Sequence, residues 1–324
     1  MLLRPTTIEP ASPEEDAQRR DFTINGMFWD PIDEKLYDYV DGQKDIQKKI
    51  IRAIGNPHER FLEDRLRMMR AVRYSTRFNF PIDPETFQAI LDHSESLFPA
   101  VAIERVWQEF KKMSQFAHFD AGLITLHRLN LLPTIFPQLK GIAIEEIQKR
   151  LLPLSSFPKK APAIAELLEL FPDFSIEELF ALCDYLKLPR TDREMVRFLH
   201  HSKNMLRMPR EWQEQLENIE WAKFYAEPHA HLCIEIICAH LPLEQRKPFL
   251  LEHKKREEVL KAMILRIQTQ NPLVRADHLI KEGVSPGKTM GLLLKEAERL
   301  SANTGIEDSA AIIQLLKNSP LWNT

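Results

Sequence analysis

What this 324-residue chain has little of already excludes several classes of protein. Its three cysteines cannot build a disulfide framework, so a reducing compartment such as the cytoplasm is predicted. No apolar run is long enough to cross a bilayer, and the first residues lack the apolar core of a secretory signal. The net charge of −3 gives no global sign of nucleic-acid binding, so any surface that binds a polyanion must be local.

Glycine is also scarce, with 9 residues, while the helix formers Leu, Glu, Lys and Ile are common. Residues 22–29 and 36–40 are rich in strand formers and flank turn chemistry at 30–33, which predicts a hairpin. Residues 50–54 form a further candidate strand. The predicted fold class is therefore α+β, with a short antiparallel sheet followed by a mostly all-α remainder.

Helix signals follow from Asn56 onward. Asn56 and Pro57 have the residue types of a cap and a first helical position, and the same pattern occurs at Ser12-Pro13 and Asp83-Pro84. Apolar residues then recur every three or four positions in several later segments. These are 101–113, 119–131, 163–170, 176–187, 193–205 and 288–300.

The predicted helix from Pro57 to about Phe78 has two distinct faces. At 100° per residue, one side gathers Phe61, Leu62, Leu66, Met68, Met69 and Val72, and the other gathers Glu63, Asp64, Arg67, Arg70 and Arg77. A charged helix face is most often simply solvated, and that interpretation stays open. The alternative is recognition of a base edge, because a carboxylate accepts from an exocyclic amine and a guanidinium donates to ring nitrogens or carbonyls.

A second charged segment lies just upstream, where Arg19, Arg20 and Asp21 lead into an apolar stretch. The two arginines could be surface charges that end a short helix begun at Ser12. Alternatively, an arginine binds phosphate while Asp21 accepts from a ribose hydroxyl.

Three segments occur in a characteristic order: Arg-Arg-Asp-Phe-Thr-Ile-Asn at 19–25, Asp-Tyr-Val-Asp-Gly at 38–42, and Glu-Asp-Arg-Leu-Arg-Met-Met-Arg-Ala-Val-Arg at 63–73. Together they resemble class II tRNA nucleotidyltransferases, which add CCA, and bacterial poly(A) polymerases. The resemblance is strong over 12–80 and moderate over 101–140. It is weak beyond that until 277–300, where 283–287 resembles a recurrent tail segment.

The resemblance implies roles for seven residues in binding a nucleotide. Arg20 would contact the nucleotide, and Asp21 with Asn25 would hold the ribose. Asp64 and Arg67 would form a protein template that reads CTP or ATP. Glu63 would orient that template and Arg70 would contact the triphosphate. The implied partners are ATP, CTP and the 3′ end of tRNA or another RNA, with no membrane.

The resemblance also implies a division of the chain into four parts. A remnant of the nucleotidyltransferase head, or palm, would occupy 1–54, and a neck with the template helices would occupy 55–115. An all-α body would follow at 116–250 and an RNA-binding tail at 251–324.

The family's catalytic motif, a Gly-Gly turn and an Asp-x-Asp pair that holds magnesium, has no counterpart in this sequence. The spacing of Asp30 with Asp33, and of Asp38 with Asp41, does not supply it. No catalytic or metal-ligating residue is therefore assigned, although the family cofactor is Mg²⁺. We expect an N-terminal truncation, a misassigned start or a split gene, and a chain that cannot transfer nucleotides alone.

Several alternatives remain open from the sequence. CCA addition and poly(A) addition use the same motifs, and a non-catalytic RNA-binding remnant or a helical scaffold is a further possibility. A zinc site among His229, His231, Cys233, Cys238 and His240 is disfavoured because the spacing matches no zinc motif. Residues 283–289 lack the frame of a phosphate loop and instead predict a helix start capped by Ser285.

Overall fold

The computed structural model describes residues 12–207, 213 and 215–323. These residues are mostly helical and include one two-stranded antiparallel sheet, which confirms the predicted α+β class. Within the described ranges no helix is both long and apolar enough to cross a membrane. The chain packs as two compact units. The first unit runs to Ser155 and includes Pro162–Arg193, and the second joins Ser156–Ala161 to the residues from Glu194 onward.

The first unit contains the hairpin and a series of short helices. Its strands are β1 (Met27–Asp30) and β2 (Lys35–Asp38). Its helices are α1 (Pro13–Arg19), α2 (Gly42–Lys48), α3 (Pro57–Glu63), α4 (Leu66–Phe78), α5 (Pro84–His93), α6 (Leu97–Ala100), α7 (Ile103–Met113), α8 (Phe119–Arg128), α9 (Leu131–Ile135), α10 (Ile144–Leu151), α11 (Ala163–Leu167) and α12 (Ile176–Tyr185).

The hairpin is confirmed, but both strands are shorter than predicted. Thr23–Asn25 forms a 3-10 turn, because the Asn25 side chain accepts from the backbone N–H of Phe22 and bends the chain. The second strand ends at Asp38, whose carboxylate accepts from the backbone N–H groups of Val40, Gly42 and Gln43. These N–H groups therefore bond to the side chain and not to a neighbouring strand.

The predicted strand at 50–54 is wrong. Its residues make only two isolated bridges, Ile51 with Ile82 and Phe22 with Ala53. Ile51 and Ala53 are nonetheless buried. The segment forms backbone hydrogen bonds to residues 81–83 on one side and to residues 21–23 on the other, but each pairing is a single bridge and too short to be a strand.

The helix starts are confirmed where the caps were predicted. Ser12 accepts from the backbone N–H of Glu15, Asn56 from that of His58, and Asp83 from that of Thr86. The single helix predicted over 57–78 is wrong, because the chain breaks after Glu63. Asp64 has an extended backbone with φ −141° and ψ 101°, and α4 begins at Leu66. The break shifts the phase of the two faces and leaves Leu62 exposed, whereas Phe61, Leu66, Met68, Met69 and Val72 are buried as predicted.

Helix α4 is held between α7 and α8. On the α7 side, the buried Glu109 forms an ion pair with Arg73 of α4 at 3.1 Å. On the α8 side, Gly122 lies so close to α4 that a Cβ there would stand 2.5 Å from Oγ1 of Thr76. Both contacts fix the helix that carries Arg67, one of the two predicted template residues.

The regular elements that the structure describes in the second unit are all helices. Its helices are α13 (Arg190–Leu206), α14 (Asn218–Ala226), α15 (Ala230–Ala239), α16 (Leu243–Thr269), α17 (Ala276–Lys281), α18 (Lys288–Thr304) and α19 (Ser309–Lys317). The segments predicted at 163–170, 193–205 and 288–300 are helical, and so are most of 101–113, 119–131 and 176–187. The cap predicted at Ser285 is wrong, since α18 begins at Lys288 after Gly287, which has φ 157°.

Candidate nucleotide-reading site

Asp21 is the central acceptor of the charged cluster predicted at the start of the chain. Its carboxylate is buried, with 8% of the side chain exposed. One oxygen accepts from Nε of Arg67 at 3.1 Å, and the other lies 2.6 Å from Nη2 of Arg70. Two segments more than 40 positions apart in the sequence are therefore joined by one carboxylate.

Glu63 holds the same arginine from the other side. Its Oε2 accepts from Nη1 of Arg67 at 2.8 Å and from Nη1 of Arg60 at 2.6 Å. Arg60 also donates to the backbone carbonyl of Arg20 at 2.7 Å, which joins α3 to the end of α1. Burial, together with the positive charge of Arg67, lowers the pKa of Arg60.

Arg67 is consequently almost saturated by protein acceptors. Besides Asp21 and Glu63, it donates to the carbonyl of Arg60 at 3.3 Å and to that of Arg19 at 3.1 Å. A guanidinium has five N–H donors, so these four contacts leave one. The orientation of Arg67 is set before any ligand binds.

Asp64 lies at the break between α3 and α4, apart from the cluster around Asp21. Its Oδ1 accepts from the backbone N–H of Leu66 at 3.1 Å, and its Oδ2 lies 3.6 Å from Nη2 of Arg105 on α7. A third of its side chain is exposed. The break presents this carboxylate at the surface. In a continuous helix the Asp64 side chain would point in a different direction.

Arg20 and Asn25 make mainly local contacts. Arg20 pairs with Asp16 at 3.0 Å, donates to the carbonyl of Asn25 at 2.9 Å and stacks over the ring of Phe28. The Asn25 amide donates to the hydroxyl of Tyr74 on α4 at 3.1 Å. These contacts place both side chains beside the start of the hairpin.

The structure therefore brings together most of the residues that the sequence predicted. Glu63, Arg67, Arg70 and Asp21 form one network, while Arg77 lies apart, over the rings of Phe78 and Phe116. Sequence reasoning assigned no role to Arg60, Tyr74 or Arg105. The ion pair of Arg60 with Glu63 could have been predicted, because the two residues are three positions apart on one helix. The contacts of Tyr74 with Asn25 and of Arg105 with Asp64 join distant segments and have no signal in the sequence.

The described residues do not fit a bound metal. No group of three or more His, Cys, Asp or Glu side chains within them is placed to hold one. Cys183, Cys233 and Cys238 are buried free thiols, and burial raises the pKa of Cys233 to about 12. No metal-dependent step is therefore derived for these residues.

Two family models match the chain. The model described as "Poly A polymerase head domain" matches residues 4–52, and "Probable RNA and SrmB-binding site of polymerase A" matches residues 79–142. The first includes the Asp21 segment and the hairpin, and the second includes α7.

Curated relatives carry two names. The chain is 32% identical over 302 residues to the CCA-adding enzyme of Ligilactobacillus salivarius (strain UCC118), across 91% of this chain and 69% of that protein. It is 40% identical over 156 residues to the CCA-adding enzyme of Bacillus subtilis (strain 168), but this stretch spans only 37% of that protein. It is 39% identical over 137 residues to poly(A) polymerase I of Salmonella typhi, across 29% of that protein.

Solved structures share the fold. The CCA-adding enzyme of Bacillus stearothermophilus in complex with CTP matches with a TM-score of 0.75 and 24% identity, over 95% of this chain and 75% of that one. The Thermotoga maritima CCA-adding enzyme complexed with tRNA matches with a TM-score of 0.63 and 20% identity, over 94% and 73%. With the identity to the Ligilactobacillus enzyme, these matches show that the chain belongs to the nucleotidyltransferase family of CCA-adding enzymes and poly(A) polymerases.

Proposed function

We propose that this chain selects CTP and ATP for addition to the 3′ end of tRNA. The observation that carries the proposal is the network in which Asp21 joins Arg67 and Arg70. It places the two predicted nucleotide-binding segments against each other, in a chain whose relatives are CCA-adding enzymes.

In this proposal Asp64 and Arg67 read the base. The partly exposed carboxylate of Asp64 accepts from the exocyclic amine of cytosine or adenine, which uracil and guanine do not present at the same position. Arg67 donates its remaining N–H to the base. Glu63 and Asp21 hold the guanidinium so that little side-chain entropy is lost on binding.

In this proposal the neighbouring residues bind the sugar and the phosphates. Arg70 is 31% exposed, and Arg20 is also accessible, so both can reach triphosphate oxygens. Oδ2 of Asp21 pairs with Nη2 of Arg70 at 2.6 Å, whereas Nε of Arg70 has no hydrogen-bond partner within the described residues. In this proposal a phosphate takes the exposed part of Arg70, and Asp21 with Asn25 holds the ribose.

The remaining parts of the proposal follow the family. RNA would bind along the helical neck, body and tail at 55–115, 116–250 and 251–324, and the protein would act in the cytoplasm. Mg²⁺ is the expected family cofactor, but the described residues are assigned only nucleotide and RNA binding.

The test measures binding, so that it does not depend on catalysis. Titration calorimetry would compare CTP, ATP and UTP on the wild type and on the double variant Asp64→Ala with Arg67→Ala. We expect the preference for CTP over UTP to fall by roughly tenfold or more, because one base contact of this kind contributes about 1–3 kcal/mol. An unchanged preference would show that the template assignment is wrong.

A second candidate is poly(A) addition. The identity to poly(A) polymerase I supports it, in a stretch that also matches CCA-adding enzymes. It predicts that ATP binds and CTP does not, and that unstructured RNA competes equally with tRNA. CTP binding comparable to that of ATP would exclude this candidate.

A further inference from the structure

Arg105 on α7 approaches the carboxylate of Asp64 from outside the segments to which the template was assigned. Its Nη2 lies 3.6 Å from Oδ2 of Asp64. The distance is within reach of an ion pair but longer than a hydrogen bond. Oδ2 therefore keeps its lone pairs available while it lies in the field of a positive charge.

The position of Arg105 is set by a buried contact one helical turn further along α7. Glu109 follows Arg105 by four residues, so the two side chains share a face of the helix. Glu109 is 3% exposed and pairs with Arg73 on α4 at 3.1 Å. This ion pair fixes how α7 lies along α4, and Arg105 on the same face of α7 lies near Asp64, two residues before α4 begins.

The start of α7 has a second attachment. Glu104, which adjoins Arg105, accepts from Nζ of Lys187 at 2.6 Å. The end of the helix that carries Arg105 is thus held both to α4 and to the chain after α12, although Arg105 itself is about half exposed.

Asp64 has few other contacts that would define its direction. Its backbone is extended at the end of α3, and its Oδ1 accepts only from the N–H of Leu66 among the hydrogen bonds within the described residues. Without a charge on the opposite side, the carboxylate could rotate about this single bond. Arg105 restricts that rotation.

We propose that Arg105 is a positioning residue that holds Asp64 in the direction needed to accept from the amine of cytosine or adenine. The inference rests on the proposed function, in which Asp64 reads the base. It extends that site to a residue on α7, and so makes nucleotide selection depend on the packing of α7 against α4.

The experiment measures the binding of CTP, ATP and UTP to the intact protein by titration calorimetry. Arg105→Ala should weaken CTP and ATP by about tenfold and UTP by less than about twofold, the size expected for loss of one well-oriented base contact. Arg105→Lys retains the charge at this position and should restore the preference to within about threefold. Equal weakening of all three nucleotides, or no change, would overturn the proposal.

Lys111→Ala is the matched control, because it removes one positive charge from the same helix. Lys111 is exposed and lies six residues from Arg105, on another side of α7. It should leave the preference for CTP over UTP unchanged. If Lys111→Ala lost as much of this preference as Arg105→Ala, the effect would come from net charge alone, and the proposal would be overturned.

A double-mutant cycle separates this inference from the proposed function. If Arg105 acts through Asp64, then Arg105→Ala should cause no further loss of CTP preference in an Asp64→Ala background. Additive losses would mean that Arg105 acts elsewhere. If Asp64→Ala alone keeps the full preference, the template assignment fails; if it loses the preference and Arg105→Ala does not, only the present inference fails.

Discussion

At the scale of single residues, the charged cluster depends on Asp21. A buried carboxylate loses its hydration, and here two guanidinium groups replace it at 3.1 and 2.6 Å. Removal of the negative charge leaves Arg67, whose side chain is 12% exposed, without its buried counterion and with only the exposed carboxylate of Glu63. The pair thus serves orientation more than stability, but breaking it has a large cost.

Asp21→Asn should therefore lower the free energy of unfolding by about 3 kcal/mol, the size expected when one partner of a buried ion pair is neutralised. Urea denaturation would measure the change. Asp16→Asn is the control, since Asp16 is half exposed and pairs with Arg20 at the surface. Its effect should stay below about 1 kcal/mol. Equal effects of the two substitutions would contradict the central role of Asp21.

Glu166 on α11 is a second residue whose environment has a measurable consequence. Burial, with a smaller contribution from the negative charge of Asp120, raises the pKa of its carboxyl from 4.5 to about 8. Its buried Oε2 makes no hydrogen bond to the described residues. The folded protein therefore holds this proton more tightly than the unfolded chain does.

This difference gives the stability of the first unit a pH dependence. The stabilising effect of protonation is complete below about pH 4.5 and is lost as the pH rises through about 8. Glu166→Gln should remove this loss and raise the free energy of unfolding at pH 9 by about 1–3 kcal/mol, the cost of an unsatisfied buried polar group. Thermal melts at pH 5 and pH 9 would test it. A variant that melts below the wild type at pH 9 would disprove the assignment.

At the scale of elements, Asp38 connects the hairpin to α2. It accepts from three backbone N–H groups, at 2.9 to 3.2 Å. Burial by itself raises the pKa of Asp38, but the hydrogen bonds from Gln43, Gly42 and Val40 outweigh burial and lower it below the usual value. The carboxylate thus ends β2 and begins α2 with the same atoms.

Asp38→Ala should destabilise the first unit by about 1–2 kcal/mol, as expected for loss of a helix cap. Because the pKa of Asp38 is lowered in the folded protein, the difference from the wild type should shrink as the pH falls below about 4. Asp41→Asn is the control, since Asp41 makes no side-chain cap at the same helix. A difference that persists unchanged at pH 2.5 would contradict the role of the ionised cap.

At the scale of the whole molecule, each unit contains a buried group with a shifted pKa, raised for Glu166 in the first unit and lowered for His253 in the second. In the second unit, His253 accepts from or donates to the hydroxyl of Tyr225 at 2.7 Å, among the rings of Trp221 and Phe249. Burial, and then the positive charge of Arg256, lowers its pKa from 6.5 to about 4. Neutral His253 stabilises this unit above about pH 6.5, and the effect is lost as the pH falls toward 4.

Calorimetry should therefore show two transitions that respond differently to pH. Between pH 7 and pH 5 the transition of the second unit should move down, and between pH 7 and pH 9 that of the first should move down. His253→Phe should abolish the acid shift and Glu166→Gln the basic one. If either shift persists in its variant, another group is responsible for it.

Much of the fold could be predicted because it depends on local chemistry. The caps at Ser12, Asn56 and Asp83 are satisfied within three residues, so no distant contact can override them. The strand at 50–54 could not be judged in the same way. Burial of Ile51 and Ala53 makes the segment look like a strand, but its pairing on each side stops after one isolated bridge. How far such a pairing extends depends on the fold and not on the local apolar pattern.

By itself the sequence determined the residue types of the candidate site and their order: an aspartate after two arginines, then a carboxylate–arginine helix. Only the tertiary structure decided how they meet, with Asp21 against Arg67 and Arg70, and Asp64 turned away at a helix break toward Arg105. The reason is physical, since helical periodicity extends over a few turns. An ion pair across more than 40 residues depends instead on how whole helices pack.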